Sequence, residues 1–158
     1  MEPSEERKRL DVIVRGLQPS DLERVIALDA KNTGRRREEF FRIKLQQNLA
    51  ETGVKVSLAA EVDGIVVGFL LARVYYGEFG ALEPAAVLDT LDVHPDFRWQ
   101  GVGSALMEQL LTNLFGLGVA RVRTEVDWDA PDFLRFFHRQ GFRPAQRICL
   151  ELEVKPSH

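Results

Sequence analysis

Apolar and polar positions along the chain follow two rhythms, and their order predicts the architecture. After a polar leader of about ten residues, "DVIVRGL" is a short β-like run. "PSDLERVIALDA" then shifts to helical spacing, with Ser20 and Glu23 placed as a capping box and Leu22, Val25 and Ile26 as the apolar face. "RRREEFFRIKLQQNLA" continues helical, because Phe41, Leu45 and Leu49 recur every four residues. Gly53 marks its end.

From Val54 the texture becomes β-branched and aromatic. "VKVSLAAEV", Asp63-Gly64 and "IVVGFLLARVYY" predict a hairpin, since an Asp-Gly pair tolerates the positive φ of a two-residue turn. "GEFGALEP" is a loop and "AAVLDTLDV" a third strand. Beyond Gly103, Ser104, Glu108 and Thr112 form a polar stripe on a mostly apolar helix that ends at Gly116 and Gly118. "ARVRTEV" predicts a strand, "APDFLRFFHRQ" a helix between Pro131 and Gly141, and "RICLELEV" a last strand holding Cys149 as a small buried residue. The order is β-α-α-β-β-β-α-β-α-β. It predicts an α/β (α+β) fold, a mixed central sheet flanked by helices, with 1–10 as a leader and 11–158 as one domain.

Composition narrows the classes. Hydrophobic residues make up 45%, enough for one core without staples. With 21 basic against 24 acidic residues, nothing in the balance favours nucleic acid as a partner. One cysteine can make no internal bridge, no apolar run is long enough to span a bilayer, and the N-terminus is charged. A cytoplasmic protein with no membrane partner is the expectation, and nothing calls for a metal.

The stretch "HPDFRWQGVGSALMEQLL" carries the chemistry. A Walker loop is excluded because Ser104 and Ala105, not lysine, follow Gly103. A dinucleotide fingerprint needs a glycine where Leu106 stands, and a turn directly after the strand, where about seven residues intervene. The third reading asks only that N–H groups opening a helix converge on an anion. Gly101 and Gly103 allow close approach, Arg98 adds a charge-assisted donor, and Ser104 can add a hydroxyl.

"RWQGVG", Arg98 to Gly103, matches position by position the pyrophosphate signature of the GCN5-related N-acetyltransferases: Arg or Gln, two variable residues, Gly, any residue, Gly or Ala. "DVHPDFR" resembles that family's lead-in and "FFHRQGF" its aromatic helix ending in Gly-Phe, and the element order agrees from about Val12 to Val154. The resemblance implies a GNAT-like fold and acetyl-CoA (coenzyme A) as co-substrate, with no metal. It places Arg98, Trp99, Gln100, Gly101, Val102, Gly103 and Ser104 at the diphosphate. It also implies that the strand before the signature splays from "RVRTEV", so that backbone groups of Leu91, Asp92 and Val93 pair with the pantetheine arm. The Val93 N–H would then polarise the acetyl carbonyl.

Direct transfer to an amine requires that the amine first lose a proton. Asp89, an acid inside an apolar strand, is the first choice for base or amine anchor. Strand alternation puts it on one face with Val87, Leu91 and Val93, and Asp92 on the other. The family's tyrosine near the end of the later helix, which can protonate the leaving thiolate, aligns with Phe137. Phe137 would still line the coenzyme, and the adjacent His138 is an alternative acid. On a helical wheel Phe133, Phe136 and Phe137 centre the apolar face of that helix.

Tyr75, Tyr76, Glu78 and Phe79 fall where the family's acceptor groove lies, and aromatic faces with a carboxylate suit a cationic amine. The run Arg35-Arg36-Arg37 argues instead for an anionic acceptor. The function implied is acetyl-CoA-dependent N-acetyl transfer to a small-molecule or peptide amine, with a catalytically silent acyl-CoA binding module as the alternative. A homodimer is compatible with the resemblance.

Overall fold

The computed structural model describes residues 10–50, 56–80 and 82–156. The leader up to residue 9, Gly53 and the start of "VKVSLAAEV" lie outside them. The chain divides into two compact units, Met1–Glu125 and Val126–His158.

The first unit holds a five-stranded sheet in the order β1-β2-β3-β4-β5. β1 (Ile13–Gly16), β2 (Leu58–Val62), β3 (Ile65–Tyr75) and β4 (Ala85–Val93) pair antiparallel, and β5 (Val122–Thr124) pairs parallel to β4. Asp63 and Gly64 join β2 to β3 with φ of 51° and 78°, the two positive values that a type I′ turn demands. α1 (Leu22–Thr33), α2 (Glu38–Ala50) and α3 (Val102–Gly116) complete the unit.

Alternation along β3 sends Gly68 and Phe69 to opposite faces of the sheet. Phe69 and Leu71 join Val25, Ile26 and Leu28 of α1 and Phe41, Leu45 and Leu49 of α2 in one buried cluster. On the other face a Cβ built on Gly68 would sit 2.9 Å from Val102 Cγ1 and 3.3 Å from Leu106 Cδ1, both of α3. The missing side chain is therefore what lets α3 lie close against β3.

The start of α1 differs from the predicted capping box. Pro19–Asp21 forms a 3-10 turn, so Ser20 lies inside the turn rather than at a cap. Asp21 stands at the N-cap of α1 without a side-chain bond to the helix, and its carboxylate closes the preceding turn instead: it accepts the Gln18 N–H at 2.8 Å and both terminal guanidinium nitrogens of Arg15, each at 2.8 Å. That arginine holds the Asp21 carboxyl below the usual aspartate range.

A buried cluster of charged groups fixes α1 and α2 over β4. Asp29, on the apolar stripe of α1, is fully buried and takes a two-pronged ion pair from Arg37, at 2.9 and 2.7 Å. Arg37 also caps α2 through its carbonyl, which accepts the Phe41 N–H at 3.1 Å. Burial opposes the charge on Asp29, but the guanidinium and the other donors outweigh it, so its carboxyl lies below the ordinary value. Asp92 of β4 accepts from Asn32 Nδ2 at 3.3 Å on one oxygen, while its other oxygen is buried with no protein donor facing it. Asp29 acts on that carboxyl as a neighbouring acid, and two acids sharing a site favour one of them holding a proton. Burial and the neighbouring Asp29 push Asp92 up to about 7, which makes it the carrier.

The second unit contains α4 (Pro131–Arg139), opened by Pro131 and closed by Gly141 at φ 99°. Phe137 is buried, with ring centroids 5.3 Å from Phe136, 5.0 Å from Phe142 and 6.2 Å from Phe133. Phe133 itself is 45% exposed, so the apolar face of the helix centres on Phe137 rather than on all three rings. The predicted strand "RICLELEV" does not form among the described residues, and its alternating apolar side chains, such as Ile148 and Leu152, are exposed. A strand needs a partner ladder, and this unit contains no second strand among its described residues. Cys149 is accordingly exposed rather than buried.

Two outcomes follow. Gly68→Ala pushes into Val102 and the Asp92 carbonyl, 3.2 Å away, and should cost about 1–3 kcal/mol, read as a lower urea midpoint at unchanged slope. Asp92 binds a proton in the folded chain over a range where the unfolded chain has released it, so its contribution to stability declines as pH rises from about 4 to about 7. Asp29 is ionised through that window. Asp92→Asn, which keeps a donor toward Asp29, removes the decline. Urea titrations at pH 5 and pH 8 should find the variant gaining on wild type at the higher pH by about 1–3 kcal/mol.

Candidate active site

The site grows out of one irregularity in β4. Its register against β3 passes from Leu71↔Thr90 to Ala72↔Leu88, leaving Asp89 without a partner. This is a β-bulge, which bends the strand and increases its twist. β4 pairs with β5 only at Ala86, Val87 and Leu88, so pairing on that side stops where the bulge begins, while pairing with β3 runs on to Val93. Thr124 Oγ1 closes the last rung on the Leu88 carbonyl at 2.9 Å.

Beyond the bulge one edge of β4 therefore has no strand partner among the described residues of this unit. The His94 N–H donates to Val67 O of β3 at 2.8 Å. Alternation then directs the N–H groups of Leu91 and Val93 to the opposite, open edge, and those of Asp92 toward β3. Of the three residues expected to offer backbone groups, two face the opening. Asp92 faces β3, and its side chain is committed to Asp29.

The bulge also alters the expected faces of β4. Asp92 pairs with Phe69, which faces α1 and α2, and the Asp89 carboxylate lies 3.8 Å from Lys44 Nζ of α2. Asp89 and Asp92 therefore share a face, because the extra residue shifts the alternation by one. Leu91, opposite Leu70, turns to the α3 side. Arg73 Nε is a second cation beside Asp89, at 4.0 Å.

After Val93 the chain makes the 3-10 turn Pro95–Phe97 and reaches α3 through Arg98, Trp99, Gln100 and Gly101. His94 Nδ1 accepts the Asp96 N–H at 3.1 Å, and Gln100 Nε2 donates to the Asp96 carbonyl at 3.0 Å. Trp99 and Gly101 have φ of 64° and 86°. Ala105 makes the first intrahelical bond, 2.9 Å to Gly101 O, so the N–H groups before it open the helix toward its positive end. A Cβ on Gly101 would meet nothing within 4 Å, so no neighbouring side chain crowds its backbone. The Arg98 guanidinium is turned to α1, where Nη2 donates to Asn32 Oδ1 at 2.5 Å. Asn32 Nδ2 in turn donates to Val93 O at 3.0 Å.

Tyr75 is half-buried between two arginines: Arg73 lies 5.8 Å from its ring centroid and Arg123 Nη1 donates to its hydroxyl at 3.4 Å. Tyr76 and Phe79 are exposed, and the side chain of Glu78 lies outside the described residues. The expected arginine run faces its own carboxylates, Arg37 on Asp29 and Arg36 on Glu38 and Glu23. Phe137 and His138 belong to the second unit, where Arg143 Nη1 lies 3.5 Å from His138 Nδ1.

Asn32, Asp29 and Lys44 are groups of this region that sequence reasoning missed. Asp29 alone left a trace, as an acid within the apolar stripe Val25, Ile26 and Leu28. Among the described residues no helix is long and apolar enough to cross a membrane.

The profile of the acetyltransferase (GNAT) family matches residues 22–142. The fold is similar to that of the aminoglycoside N-acetyltransferase AAC(6')-Iy solved in complex with CoA, at 18% identity and TM-score 0.76 over 91% of this chain and 95% of that one. It is also similar to a transcriptional regulator from Bacillus halodurans C-125, at 20% identity and TM-score 0.76 over 90% and 99% of the two chains. Ard1 from Thermoplasma volcanium is 26% identical, with TM-score 0.69 over 84% of this chain and 82% of that one. With the signature at the helix opening and the family match across most of its length, the chain belongs to the GNAT acetyltransferase family.

Proposed function

We propose that the protein is an N-acetyltransferase that takes acetyl from acetyl-CoA and moves it directly to an amine of a small molecule or peptide. The observation that carries this reading is the edge of β4 beyond Leu88, which has no strand partner among the described residues of its unit and leads to the opening of α3 at Gly101. Acetyl-CoA supplies the activated acyl group as a thioester. The α3 opening would hold its diphosphate, with Gly101 and Gly103 permitting close backbone approach.

The Leu91 and Val93 N–H groups would take up the pantetheine arm as an added strand, in the manner of β-augmentation. The Val93 N–H, at the end of β4, would donate to the acetyl oxygen and favour charge developing there. Asp89 is our candidate for receiving the amine's proton, directly or through water. Lys44 and Arg73 beside it compete with an ammonium for its carboxylate. The acceptor must therefore displace those cations or present its amine already neutral.

A second reading, an acyl-CoA binding module without turnover, is favoured by one observation: Phe137, at the position of the family's proton-donating tyrosine, has no group to give.

Calorimetry and thermal melts with acetyl-CoA test the site. A ligand that binds only the folded state raises its apparent stability, by about 2.7 kcal/mol at a hundred times Kd. Gly101→Ala should weaken that affinity about tenfold, while the free protein loses only about 1–2 kcal/mol for a Cβ at positive φ. Release of coenzyme A with one member of an amine, aminoglycoside and N-terminal peptide panel is the outcome expected. Binding without release across the panel would favour the silent module, and no binding at all would overturn both readings.

A further inference from the structure

The Arg98 guanidinium is the one cationic side chain of the signature, yet its Nη2 is turned to α1. It is held on α1 by Asn32 Oδ1, 66 residues away in sequence. The same amide donates from Nδ2 to Val93 O at 3.0 Å and lies 3.3 Å from Asp92 Oδ1. A single side chain therefore grips the strand end that carries the candidate oxyanion donor and the arginine that begins the cradle loop.

Asn32 can do this because of where α1 ends. It lies one turn after Asp29, which Arg37 and Asp92 lock in place. The helix terminates directly after it, with Gly34 at φ 75° and the Gly34 N–H on Ala30 O at 2.8 Å. The amide is thus presented by a fixed helix end rather than by a flexible loop. The loop it holds contains Trp99 at φ 64°, a conformation that a side chain disfavours and that persists only where both flanks are fixed.

We infer that Asn32 is a positioning residue for the coenzyme A site, and that Arg98 serves the site through Asn32, by fixing the loop, rather than by direct contact with the diphosphate. The inference rests on the reading of this site as a coenzyme A site. It assigns the anion to the backbone of the α3 opening and gives Arg98 and Asn32 one shared task.

A double-mutant cycle separates the two roles. Coenzyme A affinity is measured by calorimetry for wild type, Asn32→Ala, Arg98→Ala and the double variant, each at three salt concentrations and below the melting temperature of all four. The shared task predicts that each single change weakens binding five- to twentyfold and that the double change is no worse than the weaker single. It also predicts that the salt dependence keeps its wild-type slope, because no phosphate contact is lost. Factors that multiply in the double variant, a shallower slope for Arg98→Ala alone, or an Asn32→Ala protein with wild-type affinity would each overturn the inference while leaving the site reading intact. A wild-type protein that binds no coenzyme A would remove the site reading and this inference together. Should Asn32→Ala not fold, Asn32→Ser, too short to bridge Val93 O and Arg98 together, takes its place in the cycle with the same non-additive outcome expected. Factors that multiply there would overturn the inference.

Discussion

At Asp89 the β4 ladder gains a residue that β3 cannot match, and the rest of the site depends on how the sheet absorbs it. A strand in the middle of a sheet normally satisfies both of its edges, since unpaired backbone groups that are shut away from water are costly. Here the added residue bends β4 after three rungs with β5, and the edge beyond is left to other partners. Two N–H groups, those of Leu91 and Val93, face that edge. The geometry that makes an acyl donor site is in this sense a local failure of pairing, placed where a helix also begins.

A failure of pairing needs a rigid frame, or the strand end would simply fray. The frame is built mostly from α1. Asp29 ties that helix to α2 through Arg37, and Asn32 one turn later reaches Asp92 and Val93 of β4 and Arg98. Removing Arg37 would leave the fully buried Asp29 carboxylate without its charge partner, which is unfavourable although the arginine itself is partly exposed. Gly68 contributes from the opposite face by letting α3 lie against the sheet. The opening of α3 is thereby held beside the free end of β4.

Much of this was legible in the sequence where the signal was local. Asp63-Gly64 requires two positive φ angles and shows them, and Gly101 of "RWQGVG" adopts the positive φ that only glycine takes without strain. Element order was legible for the same reason, because each run carries its own period. What depended on register was not. Alternation counted along β4 separates Asp89 from Asp92, but the bulge restores them to one face, and a bulge is defined by the strand opposite. Ser20 and Glu23 fit a capping box by spacing, yet the turn at Pro19 puts Asp21 at the N-cap and turns its carboxylate back to the Gln18 N–H and Arg15. "RICLELEV" has the period of a strand, but a period cannot supply a partner. The arginine run illustrates the same limit: Arg37 is consumed by a carboxylate eight residues earlier, which no local pattern announces.

The central claim is that the Val93 N–H faces an edge left open by the bulge and is taken up by the bound acyl donor. Amide hydrogen exchange at Val93, followed by NMR with and without acetyl-CoA, tests it most directly. The account predicts fast exchange in the free protein and protection of at least tenfold on binding, with the His94 amide, bonded to Val67, slow in both states. A Val93 amide already as slow as that of His94 in the free protein, or one unchanged by saturating acetyl-CoA, would contradict it.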